Sequence, residues 1–181
     1  MLEEKRLIKT SKFLSLVLRH KPSEANIELD NNGWTDVNIL LSNIAKKGFK
    51  LSLEELKYLV ENNNKKRFAF NDDFSKIRAS QGHSVEVDLE YTSKEPPEYL
   101  YHGTATKNLD SIFQTGLEKR NRNHVHLSKD IETAINVGSR HGKPIVLKVK
   151  ALEMHKKGFE FFLSANGVWL VDNIPVEFIE N

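Results

Sequence analysis

The sequence contains no cysteine in 181 residues. This absence excludes disulfides, thiolate-bound zinc and a cysteine nucleophile, and it fits a reducing compartment. No apolar run approaches the ~20 residues that a membrane-spanning helix needs. The first ten residues, MLEEKRLIKT, also lack the apolar segment of a secretory signal. We therefore expect a cytoplasmic protein that has no membrane partner.

An excess of one charge sign is also missing. The chain has 27 Lys and Arg against 25 Asp and Glu, which gives a net charge of +2. General nucleic-acid-binding domains are strongly basic, so any contact with nucleic acid has to come from a local patch. None of the nine glycines belongs to a Walker or GxGxxG phosphate-binding pattern. Any nucleotide must therefore bind to a different kind of fold.

The stretch KEPPEY, residues 94–99, is the best candidate for a domain boundary. Two consecutive prolines cannot lie inside a helix or a central strand, so they indicate a stiff connector. We predict a first lobe over residues 1–94 and a second lobe over residues 95–181.

The first lobe has a helical pattern followed by two short extended segments. Apolar spacing and capping residues predict helices over residues 5–20, from a cap at 35 or 36 to Gly48, and from Ser52 to about Val60. The segments KRFAF and FSKIRAS flank an Asn-Asp-Asp turn and predict a hairpin. Three helices followed by a hairpin are the order of a winged-helix unit, which is often used on nucleic acids.

The second lobe has a mixed pattern. Strands are predicted at residues 99–101 and 125–127 and in the segments IVLKVKA, FEFFLSA, GVWLVD and VEFIE. Helices are predicted over residues 106–114 and 129–137, with Ser128 as the cap of the second. No long helix separates the last strands, so an antiparallel sheet is favoured over a parallel one. The expected fold class is α+β.

Several basic residues are candidates for binding an anion, although each also has a structural explanation. The run Arg19-His20-Lys21 closes the first helix, where cations stabilise the negative end of the helix dipole. Arg67 follows two lysines in a loop, where a solvated charge run is common. Arg140 lies at another helix end, before Gly142, and the same dipole argument applies. None of these signals is specific by itself.

Polar turns and histidines give two further candidate sites. The segment Ser80–Ser84, SQGHS, collects several donors at one glycine turn, as an anion site requires, but an ordinary strand-ending turn would look the same. His102, His124 and His126 could supply a zinc site. No nearby carboxylate completes such a site, so no metal is expected.

Eight stretches together resemble the RNA 2′-phosphotransferase family of the KptA type, over nearly the whole chain. They occur in the family's order: LSLVLRHKP, GWTDVNILL, KKRFAF, IRASQGHS, YHGT, HVHLS, GSRHGKPIVL and NGVWLVDNIP. The resemblance implies an N-terminal winged-helix lobe that binds RNA. It also implies a C-terminal lobe that is ADP-ribosyltransferase-like, with an antiparallel α/β structure, and that binds NAD.

The resemblance also implies a reaction and a set of catalytic residues. The substrate would be an RNA with an internal 2′-phosphate, as at a tRNA splice junction, and NAD would be consumed as a co-substrate. The products would be 2′-hydroxyl RNA, nicotinamide and ADP-ribose 1″,2″-cyclic phosphate, formed through an RNA-2′-phospho-ADP-ribose intermediate. The family's Arg-His-Arg-Arg tetrad corresponds to Arg19, His20, Arg67 and Arg140, of which the first three would bind the 2′-phosphate and Arg140 would favour the second step.

The binding residues implied by the resemblance fall into two sets. The NAD-binding set is His102, Gly103, Thr104, Gly116, Leu117, His126, Leu127 and Ser128. The RNA-binding set is Lys21, Lys66, Gln81, Gly82 and His83. Ser80 stands where the resemblance leads us to expect asparagine.

Two other functions are compatible with the same motifs. One is an ADP-ribosyltransferase that caps terminal phosphates of RNA or DNA, and the other is a non-catalytic RNA-binding module. Many protein-modifying ADP-ribosyltransferases have a glutamate on a late strand, and the corresponding region here, NGVWLVD, has the apolar Val168 instead. This difference argues against transfer to a protein side chain. The cationic residues in both lobes argue against a purely binding role. We expect the protein to be a monomer.

Overall fold

A computed structural model describes residues 2–181 of the chain. The chain divides into two compact units between Glu90 and Tyr91. The sequence pattern predicts the boundary a few residues later, at the connector of residues 94–99. Helices and small antiparallel sheets occur in both units, so the protein is of the α+β class. Within residues 2–181, no helix is both long and apolar enough to cross a membrane.

Over residues 2–90, the first unit contains three α-helices and one three-stranded sheet. The helices are α1 (Leu2–Arg19), α2 (Val37–Lys46) and α3 (Leu53–Glu61). The strands are β1 (Thr35–Asp36), β2 (Phe68–Phe70) and β3 (Lys76–Ala79), in the antiparallel order β1-β3-β2. The three predicted helices and the hairpin are therefore confirmed, with small shifts at their ends.

Helix caps and an apolar core hold the first unit together. Asp36 caps α2 by accepting a hydrogen bond from the backbone N–H of Ile39, and Ser52 and Glu55 form both halves of a capping box on α3. The core contains apolar side chains from all three helices and both hairpin strands. Its members include Leu14, Leu18, Leu40, Ile44, Leu56, Phe68 and Ile77.

The second unit contains three short helices and eight strands. The helices are α4 (Leu109–Thr115), α5 (Ile131–Gly138) and α6 (Ala151–Lys156). The strands are β4 (Leu100–Ala105), β5 (Leu117–Glu118), β6 (Val125–Leu127), β7 (Pro144–Val149), β8 (Phe161–Leu163), β9 (Trp169–Val171), β10 (Asn173–Ile174) and β11 (Ile179–Glu180). They form the sheets β11-β7-β4, β6-β9-β8 and β10-β5, and every pairing is antiparallel, as predicted.

Several local predictions for the second unit were wrong. Asp130, and not Ser128, caps α5, because the Asp130 carboxylate accepts the backbone N–H of Thr133 at 2.7 Å. Ser128 instead forms an isolated β-bridge with Tyr101. Helix α6 was not predicted, and the segment Val176–Phe178 forms a 3₁₀ turn where a strand was expected.

Helix α5 packs unusually close to strand β4, because two glycines leave no side chain between the backbones. A Cβ atom added at Gly103 would lie 1.7 Å from the carbonyl oxygen of Ala134, and one at Gly138 would lie 2.6 Å from the carbonyl oxygen of Thr104. Such distances are far below van der Waals contact, so only glycine fits at either position. This packing fixes the end of α5, and with it the segment that carries Arg140, against β4.

Candidate functional site

The first group of candidate residues lies at the end of α1. Arg19 is the last residue of the helix, and His20 follows it. Ser84 contacts both: its backbone N–H donates to the carbonyl of Arg19 at 2.9 Å, and its hydroxyl shares a hydrogen bond of 2.9 Å with Nδ1 of His20. Lys21 is exposed and directly precedes the 3₁₀ turn Pro22–Ala25. The orientation of the His20 ring is therefore set by a residue 64 positions away.

Arg67 lies in a tightly bonded loop before β2. The side-chain oxygen of Asn63 accepts hydrogen bonds from the backbone N–H of Lys65 at 3.0 Å and from Nη1 of Arg67 at 3.3 Å. Lys66 has a φ of +39°, in the left-handed region that residues other than Gly, Asn and Asp seldom adopt. Its carbonyl accepts a hydrogen bond from the Ser80 hydroxyl at 2.9 Å. The loop is thus held in a strained conformation that presents Arg67.

The segment Ser80–Ser84 joins these two groups. At one end, the backbone N–H of Ser80 donates to the carbonyl of Arg67 at 2.8 Å. At the other end, Ser84 holds Arg19 and His20. Gly82 has a φ of +84°, which allows the chain to turn between the two ends. The structure therefore brings the three predicted catalytic residues of this unit onto one five-residue segment.

The middle of this segment contains buried polar atoms. His83 is only 1% exposed, and within residues 2–181 neither of its ring nitrogens has a hydrogen-bond partner. The same holds for the side-chain oxygen of Gln81. A buried polar atom without a partner costs roughly 1–3 kcal/mol and so calls for an explanation. These atoms are the ones at this segment that a polar ligand could bind.

The electrostatic surroundings of His83 are cationic. Burial, together with the positive charges of Arg19, His20 and Arg78, lowers the pKa of His83 from 6.5 to about 4. The ring is therefore neutral near pH 7 and adds no charge to the basic side chains around it. Such a cluster is suited to an anion, which the cations would stabilise.

The second group of candidate residues lies where β4 and β6 meet. Tyr101 and Ser128 exchange two backbone hydrogen bonds, of 2.9 Å and 2.8 Å. Next to them, Nδ1 of His102 donates to the carbonyl of His126 at 3.1 Å. The structure thus brings the segments His102–Thr104 and His126–Ser128 together.

The His102 ring is neutral and has a defined tautomer. Burial lowers its pKa; the hydrogen bond to the His126 carbonyl opposes this shift, and the charges of Arg122 and His141 add to it. Because Nδ1 carries the hydrogen that is donated to the carbonyl, Nε2 is the acceptor of the neutral ring. The His126 ring in turn accepts a hydrogen bond from Nη1 of Arg122 at 3.2 Å.

The remaining candidates of the second unit lie in different surroundings. The Thr104 hydroxyl is buried and accepts a hydrogen bond from the Asn108 side chain at 3.1 Å. Arg140 is exposed and follows the end of α5, which packs on β4. Gly116 and Leu117 lie against β10, where Leu117 pairs with Ile174. The packing of α5 on β4 therefore places Arg140 near His102, Gly103 and Thr104 in the fold. Gly116 and Leu117 lie at a separate sheet.

The three histidines considered as zinc ligands have separate partners. His102 bonds to a backbone carbonyl, His126 to Arg122, and the ring of His124 packs edge-on against Phe162 at 5.6 Å between centroids. Within the part of the chain that the structure describes, no three His, Cys, Asp or Glu side chains are arranged to hold a metal ion.

Sequence reasoning missed several residues that hold the candidates in place. Asn63 and Ser84 hold Arg67 and His20, and Arg122 contacts His126. The asparagine run before Lys65 carried a usable signal, because asparagine side chains often bond to the backbone two residues on. The contacts of Ser84 and Arg122 join residues in irregular segments, and no periodic pattern marks them.

Comparisons with known proteins all lead to one protein family. Residues 5–173 match the model of a family described as "RNA 2'-phosphotransferase, Tpt1 / KptA family". The chain is 57% identical over 170 residues to the probable RNA 2′-phosphotransferase of Flavobacterium johnsoniae, covering 94% of this chain and 93% of that protein. It is 51% identical over 174 residues to the protein of the same name from Fusobacterium nucleatum, covering 96% and 97%. For that of Nostoc punctiforme the values are 50% over 179 residues, covering 99% of each chain.

Proposed function

Because this chain belongs to the RNA 2′-phosphotransferase family, we propose that it removes an internal 2′-phosphate from RNA and consumes NAD in doing so. The observation that carries this proposal is the attachment of Arg19, His20 and Arg67 to the single segment Ser80–Ser84. A phosphate monoester is a compact dianion, and converging cations are the groups that bind it best.

In the first unit, the two arginines would bind the 2′-phosphate through paired N–H donors. Planar guanidinium groups hold a phosphate in a fixed orientation, which a nucleophile that is already an anion needs more than activation. His20 would add a third contact from the ring that Ser84 orients. Lys21, Lys66 and the Gln81–His83 turn would contact the rest of the RNA. We propose that this unit, with its helices followed by a hairpin, is winged-helix-like.

In the second unit, we propose that the β4–β6 junction binds the nicotinamide end of NAD. The neutral His102 ring presents its Nε2 acceptor, which suits a ribose hydroxyl or an amide N–H. Gly103 and Thr104 would complete this wall, with His126, Leu127 and Ser128 opposite them. Gly116 and Leu117 would lie towards the adenylate end. The antiparallel sheets support an ADP-ribosyltransferase-like fold for this unit.

The proposed reaction has two steps. First, a 2′-phosphate oxygen forms a bond to C1″ of the nicotinamide ribose, and the bond from C1″ to the nicotinamide nitrogen breaks, so nicotinamide leaves as a neutral molecule. Second, the 2″-hydroxyl of the ADP-ribosyl group loses its proton and attacks phosphorus, the bond between phosphorus and the RNA 2′-oxygen breaks, and that oxygen gains a proton. The pentavalent phosphorus of the second step develops charge that Arg140 would stabilise.

A direct assay tests the proposed function. A ribonucleotide oligomer with one internal 2′-phosphate is incubated with the protein, with and without NAD, and the products are separated by chromatography. We expect NAD-dependent formation of 2′-hydroxyl RNA, nicotinamide and ADP-ribose cyclic phosphate. Retention of the 2′-phosphate in the presence of NAD would reject the proposal. Oligomers with a phosphate at the 5′ or 3′ end test the alternative of end capping, in which ADP-ribose stays on the nucleic acid.

The Arg140→Ala variant tests the assignment of the second step. We expect RNA-2′-phospho-ADP-ribose to accumulate, because the first step does not depend on Arg140 while the second slows by about 10²–10³. Exposed Lys143, which lies three residues further on, provides the control Lys143→Ala, which should form no intermediate. An equal slowing of both steps in Arg140→Ala would remove Arg140 from this role.

A further inference from the structure

Arg78 occupies an unusual position on the sheet of the first unit. Its neighbours Ile77 and Ala79 on β3 are buried in the core, so Arg78 lies on the opposite face of the strand. Its guanidinium group stacks over the ring of Trp34, at 4.3 Å from the ring centroid. Its Nη1 also donates to the carbonyl of Asn32 at 3.2 Å. Two contacts thus fix the plane of this guanidinium.

The charge of Arg78 is not neutralised by an acidic partner. Among the described residues, no carboxylate forms an ion pair with it; its contacts are an aromatic ring and a neutral carbonyl. Lys76, two residues earlier on the same face of β3, instead pairs with Asp30 at 3.3 Å. On this face of the strand, Lys76 therefore has a carboxylate partner and Arg78 has none among the described residues.

Arg78 belongs to the same cationic cluster as the end of α1. With Arg19 and His20, it is one of three cations close enough to His83 to influence its titration. Gly33, adjacent to Trp34, also approaches His83: a Cβ added at Gly33 would lie 3.3 Å from its Nε2. The cluster therefore extends from Arg19 and His20, past the buried His83, to Arg78.

A guanidinium stacked on an aromatic ring binds ligands mainly in its own plane. The ring covers one face of the group, and the N–H donors that remain beside Nη1 point outward along that plane. The paired oxygens of a phosphate group match this geometry whatever the RNA sequence. A nucleobase edge offers a matching pair of acceptors only when a particular base is present. A phosphodiester is therefore the ligand that fits without a sequence requirement.

We propose that Arg78 binds a 3′,5′-phosphodiester of the RNA close to the 2′-phosphate, and that Trp34 is the positioning residue that holds Arg78 in its plane. This inference rests on the proposed function, since it places the rest of the same RNA along the cluster. It gives the enzyme a contact that a free phosphate monoester cannot make. Arg78 thus favours a 2′-phosphate within a polynucleotide over the same group on a mononucleotide.

The Arg78→Gln variant tests this proposal, with Lys76→Gln as the matched control on the same strand face. The probe is a hexaribonucleotide with an internal 2′-phosphate, whose binding is measured at several salt concentrations. We expect Arg78→Gln to weaken binding about tenfold and to reduce the slope of log K against log salt by about 1. Lys76→Gln should change binding less than twofold, because its charge is already paired. Equal binding by Arg78→Gln and the wild type overturns the proposal.

Neutral linkages locate the contact. A series of probes replaces each phosphodiester in turn by an uncharged methylphosphonate. We expect one linkage near the 2′-phosphate to cost the wild type about tenfold in binding and to cost Arg78→Gln nothing further. The same loss in both proteins at every linkage would show that Arg78 contacts none of them, and would overturn the proposal.

Turnover separates this proposal from the proposed function. With NAD present, Arg78→Gln should raise the KM for the hexanucleotide about tenfold and leave its kcat and the KM for NAD unchanged. Thermal unfolding of both variants verifies that they are folded, and Arg78→Lys should recover the salt slope because it restores the charge. If the wild type does not turn over the 2′-phosphorylated probe, the proposed function fails. If it does but the KM of Arg78→Gln is unchanged, only the role of Arg78 fails.

Discussion

The candidate residues of the first unit are largely basic and are held by hydrogen bonds between loop segments, whereas those of the second unit are mostly neutral and lie on strands. Ser80 and Ser84 hold Arg67 and His20 in the first unit. In the second, the bridge between Tyr101 and Ser128 and the close approach of α5 to β4 set the geometry. Charged side chains suit a phosphate dianion, while a rigid neutral wall suits a larger ligand that is bound over its whole length.

Two buried histidines show the same difference. His83 in the first unit has no hydrogen-bond partner within residues 2–181, and cations surround it. His102 in the second unit donates to a backbone carbonyl, which fixes its tautomer. Burial lowers both pKa values, yet only His102 is satisfied by the protein itself. The first unit therefore sacrifices some stability at its cluster, as binding sites commonly do.

The largest effect that we predict is a loss of folding in the second unit through Gly103→Ala. The new methyl group would collide with the Ala134 carbonyl, which belongs to the backbone of α5 and cannot rotate away. We expect the second unit to lose about 4 kcal/mol or more of its free energy of unfolding. Urea unfolding followed by circular dichroism and by NMR spectra of each unit measures this loss.

A control for Gly103→Ala separates collision from backbone strain. Gly158 has a φ of +99° and no atom within 4 Å of an added Cβ, so Gly158→Ala introduces strain alone. We expect it to cost about 1–2 kcal/mol. If the two substitutions destabilised the unit equally, close packing of α5 on β4 would not be what holds the second unit. The first unit should keep its NMR spectrum in both variants.

The next effect is a pH dependence of stability that arises from His83. Its pKa is about 4 in the folded protein against 6.5 for the free side chain, so the unfolded chain binds more protons between these values. Stability from His83 is therefore complete above pH 6.5 and falls as the pH drops towards 4, by about 3 kcal/mol in all. Urea titrations of the wild type and of His83→Gln, at pH values from 4 to 7, measure this effect.

The comparison with His83→Gln isolates the histidine. This variant cannot gain a proton at position 83, so its stability should vary less with pH across the same window. A slope equal to that of the wild type would show that other groups cause the dependence. An NMR titration gives a second measurement: a midpoint near 6.5 for the His83 ring in the folded protein would contradict its burial among cations.

The sequence predicts local features well where one residue type has one role. The Ser52–Glu55 capping box and the end of α1 before Pro22 follow from the side chains themselves. The cap of α5 could not be assigned in this way, because Ser128 and Asp130 are both good caps. The bridge between Ser128 and Tyr101 decides between them, and that contact depends on the folded sheet.

The same limit applies to the candidate site. Motif resemblance selects Arg19, His20 and Arg67, but local periodicity does not reveal that residues 80–84 hold all three. Hydrogen bonds such as that between His20 and Ser84 link positions 64 apart in the chain. Arg78 was overlooked because a single arginine in a strand looks like an ordinary exposed residue until its stacking on Trp34 is seen.

The smallest effect that we predict concerns Asn63, which holds the loop of Arg67. Its side-chain oxygen accepts from Nη1 of Arg67 and from the backbone of Lys65. In Asn63→Ala the arginine loses this orientation, and we expect kcat for 2′-phosphorylated RNA to fall about tenfold, which corresponds to about 1.4 kcal/mol. The KM for NAD should not change, because the loss is confined to the first unit. Steady-state kinetics with each substrate varied in turn measures both constants.

Two further variants decide whether Asn63 acts through its oxygen. Asn63→Asp keeps an acceptor for Arg67 and Lys65 and should retain most of the activity, although it loses the amide that donates to the Ser11 hydroxyl at 3.4 Å. Asn64→Ala removes the exposed neighbouring side chain and should leave kcat unchanged. Wild-type kcat in Asn63→Ala would show that Ser80 alone positions Arg67. A tenfold loss in Asn63→Asp as well would instead assign the effect to the Ser11 contact, and so to the packing of the loop on α1.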